Sequence, residues 1–146
     1  MPIVHTIGYT RKSLERFIRL LQEAGVDAVI DVRLRNTSQL AGFSKRDDLA
    51  FLLRQGFSIE YEHRPDLAPT PEIRDAYRDD GDWPAYEVAF NELLVQRQAT
   101  EIGRDLLAKY ERPCLLCAEP TPERCHRRLV AEWWAGRLPG VEVKHL

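Results

Sequence analysis

Reactive side chains are concentrated in one segment near the C-terminus, CAEPTPERCHRR. Cys117 and Glu119 come first, and Cys125, His126 and Arg127 follow after two prolines. Thiolates are nucleophiles and metal ligands, imidazole and carboxylate groups carry protons, and guanidinium groups bind phosphates. The segment therefore predicts a catalytic or binding site for an anionic substrate.

The elements that must position these residues alternate between strands and helices. Short apolar or β-branched runs predict five strands, at residues 3–8, 26–32, 57–63, 113–118 and 140–146. Apolar residues at helical spacing predict helices at 13–25, 44–56 and 121–136. The caps would be Ser13, Ser44 and Thr121. A further helical region, capped by Thr70, runs from TPEIRDAYRDD to KYERP with interruptions near DGDWP and RQAT.

This alternation predicts an α/β fold. Strands separated by helices of this length form a mainly parallel sheet with helices on both faces, a Rossmann-like three-layer arrangement. The long helical region is then an insertion before the fourth strand. The 146 residues fit one domain, spanning residues 1–146.

Composition narrows the class of protein. The chain is 44% hydrophobic and 30% charged with a formal net charge of -2, so it lacks a bulk electrostatic hold on nucleic acid or anionic membranes. No apolar run approaches the roughly 20 residues of a membrane span, and the start does not resemble a secretory signal. Three cysteines within twelve residues do not suggest a disulfide framework. We expect a cytoplasmic protein with reduced thiols, and the sequence predicts no oligomeric state.

Ligands of parallel α/β sheets bind outside the carboxyl ends of the strands. The residues that follow the predicted strands are therefore candidates for one rim: Gly8, Tyr9, Thr10, Asp31, Arg33, His63, Cys117 and Glu119. Cys125, His126 and Arg127 fall in the first turn of the last predicted helix, where the helix dipole should lower the pKa of Cys125.

The same residues carry a family resemblance. HTIGYT, VIDVR, CAE and CHR occur in this order over nearly the whole chain, and together they resemble the family of the domain of unknown function 488. The resemblance implies a compact α/β domain whose polar motifs form its site, without a settled activity. It favours functional roles for Arg33 and Arg127.

The leading hypothesis is an enzyme for a phosphorylated or nucleotide-like substrate, working by cysteine-dependent transfer or hydrolysis. The catalytic candidates are Cys117, Glu119, Cys125, His126 and Asp31. The substrate-binding or anion-binding candidates are Gly8, Tyr9, Thr10, Arg33 and Arg127. A cysteine phosphatase loop is not favoured, because Cys117 reaches Arg124 with six intervening residues, one more than that loop has, and two of the six are prolines without amide donors.

A metal site is the first alternative. Cys117, Cys125 and His126, with His63, offer soft and borderline ligands for zinc or iron. Neighbouring residues on a helix point about 100° apart, so only one of Cys125 and His126 is expected to face Cys117. A redox-active pair of Cys117 and Cys125 is a further possibility.

A nucleic-acid module is the second alternative. A base would stack on Tyr9 or Trp83, and Asp31 with Glu119 would serve glycosidic-bond chemistry. The chain lacks the continuous basic stripe that such modules usually carry.

Overall fold

The computed structural model describes residues 2–146, and five parallel strands form one sheet. The strands are β1 (Ile3–Gly8), β2 (Ala28–Asp31), β3 (Glu60–His63), β4 (Pro113–Cys117) and β5 (Glu142–His145). Their spatial order is β3-β2-β4-β1-β5, and every adjacent pair is parallel. The predicted α/β class is confirmed, although β2, β3 and β5 are shorter than predicted because flanking loop residues do not join the ladder.

Helices connect these strands. They are α1 (Leu14–Glu23), α2 (Arg46–Phe57), α3 (Pro71–Asp80), α4 (Trp83–Gln96), α5 (Ala99–Lys109) and α6 (His126–Arg137). Two predicted caps are confirmed: Ser13 accepts the amide hydrogen of Arg16, and Thr70 accepts that of Ile73. The helical region before β4 is interrupted at both predicted places and comprises α3, α4 and α5. Within residues 2–146, no helix combines the length and apolarity needed to cross a membrane.

The predicted cap of α2 is wrong by one residue. Ser44 ends a short 3-10 helix (Gln39–Ser44), and Lys45 occupies the capping position. The Ser44 hydroxyl donates to the carbonyl oxygen of Ala41 at 2.8 Å and accepts from Nη1 of Arg33 at 3.2 Å, so its oxygen is used by Arg33 instead of an amide of α2.

The predicted start of α6 is also wrong. Thr121 lies in an irregular loop, and the helix begins at His126. The Arg128 guanidinium donates to the carbonyl oxygens of Pro122 and Glu123 at 2.9–3.2 Å. These carbonyls are therefore satisfied without helical hydrogen bonds, which allows the loop to remain irregular as far as α6.

The direction in which the chain moves from strand to strand across the sheet determines the face on which each helix lies. The chain moves one way along the sheet from β1 to β3 and the other way from β3 to β5, and right-handed crossovers then place the two sets of helices on opposite faces. One core packs against α1 and α2, and the other against α4, α5 and α6. β4 leads to α6, whereas its neighbours β1 and β2 lead to α1 and α2. A crevice is expected at the carboxyl end of β4, where adjacent connections diverge.

Candidate functional site

A cavity of about 240 Å³ lies at the carboxyl end of β4. Its walls come from the ends of β1, β2 and β4, from the loop before α6, and from α3 and α4. The lining residues that the sequence had singled out for the site are Tyr9, Arg33, Cys117, Glu119, Cys125 and His126. The pocket therefore occupies the place that the strand-end rule predicts.

Three buried side chains form the floor of this pocket. Cys117 ends β4, Cys125 precedes α6, and His126 is the first residue of that helix. One ligand atom from each, two sulfurs and an imidazole nitrogen, lie within 4.8 Å of one another. The expectation that only one of Cys125 and His126 can face Cys117 is wrong. The backbone of Cys125 is extended (φ -138°, ψ 137°), so the helical angle between successive side chains does not apply.

The hydrogen bond of His126 orients its ring. Nε2 lies 2.7 Å from the carbonyl oxygen of Val32. A carbonyl can only accept, so Nε2 carries a hydrogen, and in the neutral ring Nδ1 is the nitrogen with the lone pair. Nδ1 lies 3.7 Å from the sulfur of Cys117. Nε2 lies 4.0 Å from the same sulfur, so the thiol of Cys117 lies beside the imidazole ring and off the axis of the Nδ1 lone pair.

The two thiols of the floor have pKa values shifted in opposite directions. A hydrogen bond from Cys125 lowers the pKa of Cys117 despite burial, with help from the amides of Ala118 and Glu119 and the charge of Arg127. The pKa of Cys125 is raised, because its hydrogen is held by Cys117 and because it is buried. The prediction of a lowered pKa for Cys125 is wrong, and the lowered pKa belongs to Cys117.

The end of β1 holds the loop that follows β4. A side chain at Gly8 would overlap the carbonyl oxygen of Glu119, so only glycine allows this approach. The amide of Thr10 donates to the Ala118 carbonyl oxygen at 3.2 Å, and the hydroxyl of Thr10 binds the same oxygen. Gly8 and Thr10 therefore position the loop, whereas Tyr9 lines the pocket.

Arg127 lies behind the floor and is fully buried. Its Nη1 donates to the carbonyl oxygen of Glu119 at 2.7 Å and to the sulfur of Cys125 at 3.4 Å. Nε and Nη2 have no hydrogen-bond partner among residues 2–146, and no carboxylate in that range forms an ion pair with this guanidinium. The sulfur atoms are thus the potential counter-charges that lie against it.

Asp31 and Arg33 form a buried pair away from the thiols. Asp31 points to the α1–α2 face of the sheet, where its oxygens accept from Arg33 at 2.7 and 2.8 Å, from Asn36 at 3.0 Å and from Tyr61. Burial alone would raise the pKa of Asp31, but the hydrogen bonds and charge of Arg33 outweigh it and lower this pKa. Arg33 also donates to the carbonyl oxygen of Ser44 at 2.7 Å, so most of its donors are engaged within the fold.

His63 is likewise not brought to the floor. Its Nε2 lies 2.9 Å from the carbonyl oxygen of Arg33, and the group of metal-capable side chains found within residues 2–146 does not include it.

The insertion supplies walls that the sequence analysis largely missed. Trp83 was predicted as a stacking surface, but Arg74, Tyr77 and Tyr86 were not singled out. Tyr86 stacks on Trp83 with ring centroids 4.8 Å apart, and Tyr77 meets Tyr86 edge to face at 5.4 Å. No local signal marks these residues, because only the packing of α3 and α4 over the sheet brings them to the pocket.

The fold and the pocket define a parallel α/β protein with a thiol and imidazole site at the strand ends. The model of the family described as "Domain of unknown function DUF488" matches residues 13–134, and the chain belongs to this family. No curated protein and no solved structure matches the chain significantly.

Proposed function

We propose that the protein is an enzyme that binds a phosphorylated or nucleotide-like substrate in the β4 pocket and acts on it by cysteine-dependent transfer or hydrolysis. The observation that carries this proposal is the convergence of three surfaces on one cavity: a floor of thiols and imidazole, a wall of aromatic rings, and a rim of arginines. Pockets that combine apolar walls with a few converging polar groups are typical of small-molecule sites.

The floor supports a catalytic role. Cys117 lies between the imidazole ring of His126 and the Cys125 thiol, and all three line the pocket. A thiol beside an imidazole acceptor is an arrangement from which a proton can be removed and returned. Because this chemistry needs free thiols, we expect the protein to act in a reducing compartment such as the cytoplasm.

The rim supports an anionic substrate. Arg35, Arg74 and Arg124 line the pocket, and Glu119 is the one carboxylate among its lining residues. Arg35 and Arg124 are exposed and form no ion pair within residues 2–146. The rim is therefore positive although the whole chain carries -2, and free guanidinium groups suit phosphate oxygens.

The wall and the dimensions support a substrate with a planar part. Tyr77 and Trp83 are half-buried beside the cavity, where a ring can contact their side chains. The cavity of about 240 Å³ adjoins a second depression of about 330 Å³ that shares Tyr77, Glu119 and Arg124 with it. One end of a nucleotide would enter the pocket, and the remainder would lie along the second depression.

We test this proposal by measuring the thermal stabilisation of the protein by a panel of nucleotides and sugar phosphates. We expect at least one compound to raise the melting temperature. The double variant Arg74→Gln/Arg124→Gln should weaken its binding at least about tenfold, because each charged hydrogen bond contributes about 1.5–3 kcal/mol. The control Arg19→Gln/Arg104→Gln removes the same charge from exposed sites on α1 and α5 and should bind normally.

Turnover of the stabilising compound is then followed by chromatography. Cys117→Ser should keep the binding and lose the turnover. The proposal is overturned if no compound stabilises the protein, or if the control double variant loses binding as much as the pocket double variant.

A further inference from the structure

Cys117, Cys125 and His126 have the composition of a soft metal site. Each offers one ligand atom, and these atoms lie within 4.8 Å of one another while their residues are buried. Thiolate sulfur with imidazole nitrogen is the ligand combination of protein zinc sites. Three buried side chains with such donors, contributed by a strand end and a helix start, are arranged about one point.

The spacing agrees with tetrahedral coordination. Zinc binds sulfur at about 2.3 Å and nitrogen at about 2.0–2.1 Å, and a tetrahedral angle then separates the two ligand atoms by about 3.6 Å. The sulfur of Cys117 and Nδ1 of His126 are 3.7 Å apart. Nε2 of the same ring lies 4.0 Å from this sulfur, so the imidazole must turn before the lone pair of Nδ1 and the sulfur can share one ion.

The surroundings of His126 favour the same function. Metal-binding histidines usually donate their second ring hydrogen to a carbonyl or carboxylate oxygen, which fixes the free lone pair toward the ion. Nε2 of His126 makes this hydrogen bond to the Val32 carbonyl oxygen at 2.7 Å. Nδ1 is then the ring nitrogen that is left to coordinate an ion.

Arg127 provides an independent observation. This fully buried guanidinium has two nitrogens without a partner within residues 2–146, and it donates to the sulfur of Cys125. A buried positive charge without a counter-charge is costly. A hydrogen bond from a guanidinium to sulfur stabilises a bound thiolate, and an anionic fourth ligand would supply the negative charge that zinc with two thiolates does not.

We propose that Cys117, Cys125 and His126 bind one zinc ion whose fourth coordination position faces the β4 pocket. All three residues line that pocket, so the side of the ion that faces the pocket needs no ligand from the protein. Three protein ligands and one open position are the arrangement of catalytic zinc sites, whereas structural sites use four protein ligands. This inference rests on the proposed function, in which a substrate enters the pocket and can reach the open position. It explains the need for the cysteines in that reaction by their role as zinc ligands.

Charge indicates what the fourth position takes. Zinc and two thiolates are neutral together, and Arg127 adds one positive charge beside them. A hydroxide or an anionic oxygen of the substrate would neutralise the buried group, which agrees with the positive rim of the pocket.

Elemental analysis of protein purified without a metal-affinity tag tests the inference. After incubation with zinc and removal of the excess, we expect one equivalent per chain. Cys117→Ser, Cys125→Ser and His126→Asn should each lower the bound zinc at least fivefold. Cys114→Ala is the matched control, because Cys114 is a buried cysteine of the same strand that points to the opposite face.

Cobalt binding by the wild-type chain gives a second readout that needs no variant to fold. A tetrahedral site with two sulfurs should show a thiolate-to-cobalt charge-transfer band and intense visible bands, which zinc abolishes. The inference is overturned by less than one tenth of an equivalent of zinc, by cobalt spectra without the charge-transfer band, or by equal loss of zinc in the Cys114 control. None of these outcomes depends on the substrate panel, so failure of this inference and failure of the proposed function are separate results.

Discussion

The sequence suggested a catalytic role for Asp31 and a substrate-binding role for Arg33. In the structure these two side chains form a buried ion pair that contributes to stability. Asp31 is fully buried and Arg33 is 5% exposed, and two hydrogen bonds join their side chains beside Tyr61 and Asn36. Breaking such a pair leaves a charge without its partner in the protein interior. The VIDVR motif therefore contributes to the frame of the pocket through this pair.

Asp31→Asn should lower the free energy of unfolding by about 3–5 kcal/mol, because Arg33 then loses its buried counter-charge. Asp79→Asn, which affects an exposed pair with Arg78, should change it by less than about 1 kcal/mol. Urea denaturation measures both. Equal effects of the two substitutions would contradict the role assigned to Asp31.

The same pair predicts a dependence on pH. The pKa of Asp31 is lower in the folded chain than the value of about 3.9 expected when unfolded. Its stabilising contribution is therefore complete above that unfolded value and is lost as the pH falls through the folded pKa. Denaturation between pH 7 and pH 3 should show a loss of stability below about pH 4 that is smaller in Asp31→Asn.

At the scale of elements, the contact between α5 and α6 sets where the floor of the pocket lies. Gly103 of α5 faces Trp134 of α6, and a β-carbon at Gly103 would lie 2.5 Å from the indole nitrogen. The indole is held by a hydrogen bond from this nitrogen to the Ala99 carbonyl oxygen at 2.8 Å. Because the ring cannot move freely, the close approach of the two helices requires glycine.

Gly103→Ala should destabilise the protein by about 1–2 kcal/mol, since overpacking exceeds the gain in helix propensity. Gly136→Ala is the matched substitution in α6, where a β-carbon meets no atom within 4 Å, and it should stabilise by about 0.5–1 kcal/mol. Thermal or urea denaturation gives both values. If both substitutions change the stability of the protein in the same direction, helix propensity and not packing controls these positions.

At the scale of the whole molecule, strand order creates the pocket. β4 lies between β1 and β2 in the sheet but follows both in the chain, and its connection leaves toward the opposite face. The insertion of α3 and α4 then covers one side of the resulting crevice with aromatic rings. A ligand in the pocket would therefore contact elements that are more than 30 residues apart in sequence, such as Trp83 and Cys117.

Intrinsic fluorescence should report this contact. Of the three tryptophans, Trp83 lines the pocket, whereas Trp134 is fully buried in the core and Trp133 binds Thr100 at 3.2 Å. A compound that stabilises the protein should change the emission, and Trp83→Phe should remove most of that change. Trp133→Phe should leave it intact, and the reverse pattern would place the ligand elsewhere.

Local patterns of the sequence determined the α/β class, the caps Ser13 and Thr70, and the segments that carry the site. These features depend on residues close in the chain, where periodicity and turn chemistry act directly. The rule for strand ends also predicted the rim at which the pocket lies, because all parallel strands end on one side of the sheet.

Tertiary structure decided how those residues are used. Asp31 and Cys117 end neighbouring strands, yet they point to opposite faces, and which face each residue takes depends on sheet register. The extended backbone of Cys125 brings both it and His126 to Cys117, and it depends on contacts of the preceding loop with Gly8, Arg127 and Arg128. The contact with Gly8 joins residues distant in the chain, so no local pattern of the sequence contains it.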